Sequence, residues 1–293
     1  MSHFAREGFL DVPGGRAWYG IAGDGGGIPL LVLHGGPGAG YDYLESLAAL
    51  SDERPVVFYD QLGCGKSDIP DDLSLWEVGR FVREVDAVRA GLDLGRVHLL
   101  GQSWGGFLAI EYMVGAPADI VSLTLASTAA SAAAFAREAR RLVAGLPADM
   151  RAAIERCEAE GTTDSPEYQE ATQAFYRAHL CRLPEWPEEM LRTVANVAGS
   201  PTYGHMWGPS EFSVTGNLSS WDRSADLGRI TVPTLITAGR YDEATPALAE
   251  ELAAGIGDSE VRIFEDAAHM AHREKREEYN QTLRAFLRRA ESR

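Results

Sequence analysis

Cysteine is scarce. Cys64, Cys157 and Cys181 are an odd number at no metal-ligand spacing in a chain of 293 residues, which argues against a disulfide framework and against a zinc site. A reduced, cytoplasmic compartment is the simplest expectation. Basic residues are also short, with 27 Lys plus Arg against 43 Asp plus Glu and a formal net charge of −16. Such a field repels phosphate backbones and anionic headgroups, so neither nucleic acid nor a membrane is expected as a partner. No apolar run approaches the ~20 residues that span a bilayer, and Met1 to Leu10 holds none of leader type.

Core-forming residues are plentiful. Hydrophobic residues make up 45% and charged residues 24%, as in packed globular proteins. The length suits two ordinary domains or one large α/β domain with an insertion.

Short Leu-rich or β-branched runs alternate with helical patterns. Leu30–Leu33 enters His34-Gly35-Gly36-Pro37-Gly38, and Val56–Tyr59 enters Asp60-Gln61-Leu62-Gly63-Cys64-Gly65. Trp76 to Leu92 has helical spacing, Val97–Leu100 reads as a strand, Gly105–Val114 as a helix and Val121–Leu125 as a strand. This order predicts a parallel sheet with helices on its faces. From Ala129 to about Arg223 no strand pattern appears; helical stretches are broken at Pro147, Pro166, Pro184, Pro187, Pro201 and Pro209. Strands return at Thr234–Ala238 and Val261–Phe264, and a helix from about Arg273 to Arg289 closes the chain. The expected fold is therefore α/β, a mostly parallel doubly wound sheet built from residues 1–128 and 224–293, with a helical cap over 129–223. Gly23 to Gly27 reads as a hairpin or surface loop.

The sharpest local signal is Gly101-Gln102-Ser103-Trp104-Gly105-Gly106, a G-x-S-x-G sequence between a strand and a helix. On that tight turn a serine hydroxyl projects above the sheet, glycines are needed beside it, and the helix N-terminus favours developing negative charge. A serine nucleophile needs a base oriented by an acid, and on this topology acid then histidine follow later in the chain. Asp242 follows the strand Thr234–Ala238, and His269 follows Val261–Phe264. His272 is the rival base, but it opens a charged stretch and is expected in solvent. Asp266 and Asp258 are rival acids that do not directly follow a strand at the expected place. An oxyanion needs two backbone N–H donors; Trp104 and Gly36 are the candidates.

Other motifs fail. Gly65-Lys66-Ser67 resembles the end of a phosphate loop, but Asp60 stands where that loop needs glycine. The glycine clusters give no G-x-G-x-x-G, and His269 and His272 give no H-E-x-x-H zinc motif. No nucleotide, dinucleotide or H-E-x-x-H zinc site is implied.

Taken together, His34 to Gly38, Tyr59 to Ser67 and Gly101 to Gly106 resemble the proline iminopeptidase family of α/β-hydrolase serine peptidases, and within it most closely the tricorn-interacting aminopeptidases. The similarity continues through Gly208-Pro209-Ser210-Glu211-Phe212 and Tyr241 to Pro246, and on to Glu278-Tyr279-Asn280. The resemblance implies an α/β-hydrolase fold, removal of one N-terminal residue, often proline, from short peptides, and no cofactor. It gives Ser103, Asp242 and His269 the triad roles and Gly36 with Trp104 the oxyanion role. It also implies that Glu211 and Glu243 hold the substrate's α-ammonium group. Amino-acid amides present the same ammonium and carbonyl, so an amidase stays open beside the peptidase. An ester or lactone hydrolase would keep the triad but leave the acidic pair without a task, and a non-catalytic receptor would not need a complete triad. Trp207, Tyr203 and Phe212 are candidates for lining the first side chain's pocket, or for plain packing.

Overall fold

The Leu- and Val-rich runs become the inner strands of one eight-stranded sheet. The computed structural model describes residues 4–293; residues 1–3, part of the stretch read for a leader, lie outside the described residues. The strands are β1 (Arg6–Val12), β2 (Gly15–Ala22), β3 (Leu30–Leu33), β4 (Val56–Tyr59), β5 (Val97–Gln102), β6 (Ile120–Ala126), β7 (Thr234–Gly239) and β8 (Ser259–Phe264). Their order is β1-β2-β4-β3-β5-β6-β7-β8. From β4 to β8 every neighbouring pair is parallel, whereas β2 is antiparallel to both β1 and β4.

Side-chain alternation buries both faces of the middle strands, which is why they read as continuous apolar runs. Leu31, Leu33, Val57 and Leu99 join one core with α1 (Val78–Gly91), α2 (Trp104–Val114) and the later α8 (Pro246–Gly255). Leu30, Val32, Phe58 and Leu100 join the other with the 3₁₀ segment Asp42–Asp52 and the closing helix α10 (Arg276–Glu291).

Between β6 and β7 lie five α-helices: α3 (Ala132–Val143), α4 (Ala148–Glu160), α5 (Pro166–His179), α6 (Glu188–Gly199) and α7 (Pro201–Met206). Most of the prolines that break the sequence pattern open these helices. Pro147 and Pro187 precede the first residue of α4 and α6, while Pro166 and Pro201 stand in the first turn of α5 and α7, where no N–H is lost. Helix α6 is tied to the segment that follows β3 by Arg192, which pairs with Asp42 at 2.6 Å and Glu45 at 3.2 Å in the 3₁₀ segment, and by the Asn196 amide on Ala39 O at 3.1 Å. A short α9 (Ala271–Glu274) precedes α10, so the single closing helix expected from Arg273 is two. Gly23 to Gly27 is a surface loop joining β2 to β3, strands that are not neighbours. No helix among the described residues is long and apolar enough to cross a membrane.

The strand order reverses between β3 and β5: the chain leaves β3 for β4 on one side and returns to β5 on the other. In open α/β sheets ligands bind outside the carboxyl ends of the strands at such a point. The loops that leave it are His34 to Gly38 and Gln102 to Trp104.

Candidate active site

Ser103 sits where β5 turns directly into α2, at φ 55° and ψ −122°. A serine with positive φ is strained, and here close packing fixes it. A Cβ on Gly101 would stand 2.2 Å from Gly105 O, and one on Gly105 would stand 2.1 Å from Leu33 O. Only glycine permits this approach of strand, turn and helix. Ser103 N–H donates to Ala126 O at 2.9 Å, and the Thr128 hydroxyl donates to Ser103 O at 2.8 Å.

Asp242 follows β7 and His269 follows β8. Asp242 Oδ1 is 2.7 Å from His269 Nδ1 and also accepts the Ala244 N–H at 2.8 Å, while Oδ2 accepts the Gly239 N–H at 3.3 Å. The carboxylate is thus held in place, and it holds the imidazole so that Nε2 is the free nitrogen. The rival acids Asp258 and Asp266 are exposed.

The expectation for His272 is corrected. It is buried rather than solvated, with Nε2 donating to Tyr43 O at 3.2 Å and the ring edge-on to Tyr43 and Tyr279. Burial pushes its pKa down to about 3. It lies in a short helical turn where Tyr43 and Tyr279 cover the ring, although charged residues follow it in sequence.

Ser103, His269, Gly36, Tyr203 and Glu211 line one cavity of about 380 Å³. A larger, shallower hollow of about 530 Å³ between α3 and Phe212–Thr215 holds no potential nucleophile beside a base. Gly36 adopts φ 106°, in the left-handed region that favours glycine. Trp104 is the first residue of α2, so its backbone N–H has no partner within the helix.

Glu243 is entirely buried, and neither carboxylate oxygen has a hydrogen-bond partner. Its Oε1 lies 3.7 Å from His269 Nε2. Burial, with Glu211 and Asp242 nearby, holds its carboxyl well above the usual carboxylate range. Glu211 is partly buried and accepts the Tyr203 hydroxyl at 2.8 Å; burial raises its pKa as well. Neither glutamate is a solvated surface charge. Of the three aromatics, Tyr203 alone lines the cavity. Trp207 packs between Phe107 and Phe135, and Phe212 against Phe175.

Several residues have places in the site that the motif reading does not assign, although Gln61 and Gln102 lie within its motifs. The Tyr43 hydroxyl donates to Gln102 Oε1 and accepts the Gly35 N–H at 2.7 Å. Gln102 Nε2 donates to His269 O at 3.4 Å, which links the Gly35–Gly36 loop to the histidine loop. His179 O, at the end of α5, accepts the N–H groups of both Glu243 and His269. Gln61 joins His34 to Trp104: its Nε2 donates to His34 O and its Oε1 accepts the indole N–H, both at 2.9 Å. Tyr176 of α5 and Met190 and Val197 of α6 are among the residues of the cavity wall.

His34, Asp60 and Cys64 are close enough to suggest a metal cluster. Their donor atoms are already engaged. His34 Nε2 accepts the Gln61 N–H at 2.9 Å, and Asp60 accepts those of Tyr41 and Lys66, each at 2.8 Å. Burial keeps the imidazole neutral, with a pKa near 4, and pushes the thiol well above its usual range, so the group is a hydrogen-bonded brace for the loop.

The model of the alpha/beta hydrolase fold family matches residues 28–275. A proline iminopeptidase of Heyndrickxia coagulans is 43% identical over 282 residues, 96% of this chain and 98% of that protein. The chain belongs to the proline iminopeptidase family. It is accordingly a hydrolase of α/β-hydrolase fold. Among solved structures, that of VinJ superposes with a TM-score of 0.95 at 35% identity, covering 98% of this chain and 99% of its own. The proline iminopeptidase of Mycobacterium smegmatis superposes with a TM-score of 0.90 at 37% identity, covering 97% and 98%. The strained serine turn and the Asp242–His269 pair are thus features of a chain whose relatives share nearly its whole length.

Proposed function

We propose that the protein is a serine aminopeptidase of the proline iminopeptidase type, releasing the N-terminal residue of short peptides through an acyl-enzyme. Ser103 attacks the carbonyl of the first residue while His269, oriented by Asp242, takes its proton. The backbone N–H groups of Gly36 and Trp104 receive the oxyanion, the second from a helix N-terminus that favours negative charge. His269 then protonates the leaving amine, and water hydrolyses the ester. Glu211 and Glu243 hold the substrate's ammonium a short distance from the scissile carbonyl. On this reading residues 129–223 are the cap that encloses the site and 1–128 with 224–293 the catalytic core. The three cysteines are free and buried, which fits a reducing cytoplasm.

The observation that carries this reading is the acidic pair beside His269. A buried carboxyl without a protein donor is costly to keep charged unless a cationic partner joins it, and an exopeptidase's substrate brings one at the required place. The test compares p-nitroanilides of Pro, Ala, Leu and Phe with their N-acetylated forms, together with dipeptides and free amino-acid amides. Losing a charge-assisted contact of about 3 kcal/mol lowers kcat/KM roughly a hundredfold on acetylation. Equal rates would sink the ammonium role. The ratio of dipeptide to amide turnover separates peptidase from amidase, and the side chains are ranked in the same panel.

A further inference from the structure

His179, the last residue of α5, touches both the loop that bears the acid and the loop that bears the base. Its Nδ1 lies 2.8 Å from Tyr241 O, an oxygen that can only accept, so this nitrogen carries the proton and donates. Its carbonyl accepts the Glu243 N–H at 3.3 Å and the His269 N–H at 3.2 Å. Asp242 is thereby bracketed, because the His179 imidazole holds the peptide group before it and the His179 carbonyl holds the one after it. The same carbonyl fixes the backbone of His269.

Neighbouring residues reinforce this contact. Leu180 O accepts the Met270 N–H at 3.1 Å, and the Arg182 guanidinium lies over the Tyr241 ring, 4.0 Å from its centroid. Glu274 of α9 accepts the Ala268 N–H at 3.1 Å and also bonds the backbone of Arg182. The His179 ring packs on Phe175 one turn earlier, with centroids 5.0 Å apart, which limits its rotation. The ladder between β7 and β8 ends at Gly239 and Phe264. Past it the Tyr241 N–H on Ala267 O, at 2.9 Å, links the two loops before the reacting pair is reached, and His179 links them at the pair itself.

We infer that His179 is a positioning residue of the triad: from the inserted segment it sets the spacing between the Asp242 and His269 backbones, and so keeps Oδ1 at 2.7 Å from Nδ1. This rests on the Ser103, His269 and Asp242 reading given above and adds the residue that holds it in register. It also makes the inserted segment part of the catalytic apparatus, since Tyr176 of α5 and Leu180 beside His179 line the cavity.

The experiment compares His179→Leu, which keeps the bulk and loses the donor, with His179→Asn, whose Nδ2 can stand where Nδ1 stood. Two quantities are read: kcat and KM on L-prolyl p-nitroanilide, and the rate of covalent labelling by diisopropyl fluorophosphate, which needs an activated serine but carries no amine. Displacing a reacting group by about 1 Å costs roughly a hundredfold, so losing one arm of the bracket is expected to lower kcat about ten- to a hundredfold in His179→Leu, with KM within about twofold. Labelling should slow in parallel, and His179→Asn should recover both rates to within about threefold of the wild type. A merely structural role would lower stability to urea and leave both rates unchanged. Wild-type kcat or wild-type labelling in His179→Leu overturns the proposal, as does a His179→Asn enzyme equally slow. If His179→Leu does not fold, His179→Ala at this half-buried position gives the same comparison. Ser103→Ala keeps the two readings apart: labelling that persists in it removes the triad, whereas labelling lost there and unchanged in His179→Leu removes only the positioning role.

Discussion

Gln61 does not line the cavity, yet changing it to methionine is expected to slow turnover. Its side chain bridges the two loops that bear the proposed oxyanion donors: Nε2 binds His34 O, two residues before Gly36, and Oε1 binds the indole of Trp104, each at 2.9 Å. Methionine keeps the length and removes both bonds, leaving a buried indole N–H and a buried carbonyl without partners. Each orphaned group costs about 1 to 3 kcal/mol, so the fold should lose roughly 2 to 4 kcal/mol after local relaxation. Removing a whole oxyanion donor costs about 10² to 10³ in kcat, which bounds what misplacing one can do. A loss of about 10 to 10² in kcat with little change in KM is therefore expected.

The assay is steady-state kinetics on L-prolyl p-nitroanilide beside urea unfolding of the same preparations. Trp104→Phe removes the indole N–H together with part of a buried ring that packs on Phe81, and the double variant closes a cycle in which that packing loss appears on both sides and cancels. If both residues act through the one hydrogen bond, their losses in kcat do not multiply. A Gln61→Met enzyme with kcat within about twofold of wild type, but lowered stability, would refute the positioning argument and leave Gln61 a structural brace.

Two further outcomes test the serine turn and the choice of base. Gly105→Ala puts a methyl 2.1 Å from Leu33 O in a strand paired on both sides, so urea unfolding should show a loss of at least about 3 kcal/mol, whereas Gly204→Ala, with open space around its Cβ, should be neutral or stabilising. His272, with a pKa pushed down to about 3, binds fewer protons folded than unfolded. Stability is therefore lost as pH falls from about 6.5 toward 3, and His272→Asn should flatten that slope in Tm while keeping activity, whereas His269→Asn should lose orders of magnitude in kcat. An inactive but folded His272→Asn would reverse the assignment of the base.

What could be read from the sequence had a local cause. The serine turn is legible because strand, glycines and helix must be contiguous for it to form, and helix starts in the inserted segment are legible because proline suits a first turn. Asp242 is legible because it follows the fully buried β7, and His269 because it follows the β-branched run that forms the edge strand β8. The β1–β2 hairpin escaped notice because its outer strand is largely exposed and gives no apolar run. His272 was misplaced because neighbouring charges said nothing about the tyrosines that cover it from residues 43 and 279. Gln61, Tyr43 and Gln102 are ordinary polar residues whose meaning lies in partners 27 to 167 positions away.

Glu243 shows most clearly why depth matters. In a chain of charge −16 a glutamate is by default a solvated surface group, and the family resemblance alone gave this one a task. The structure adds that it is buried without a donor beside His269 Nε2. A carboxyl in that position raises the free energy of the empty site, and a ligand that brings a positive charge removes the penalty on binding. The binding energy of the amine can therefore discriminate, because a substrate without the charge leaves that penalty in place.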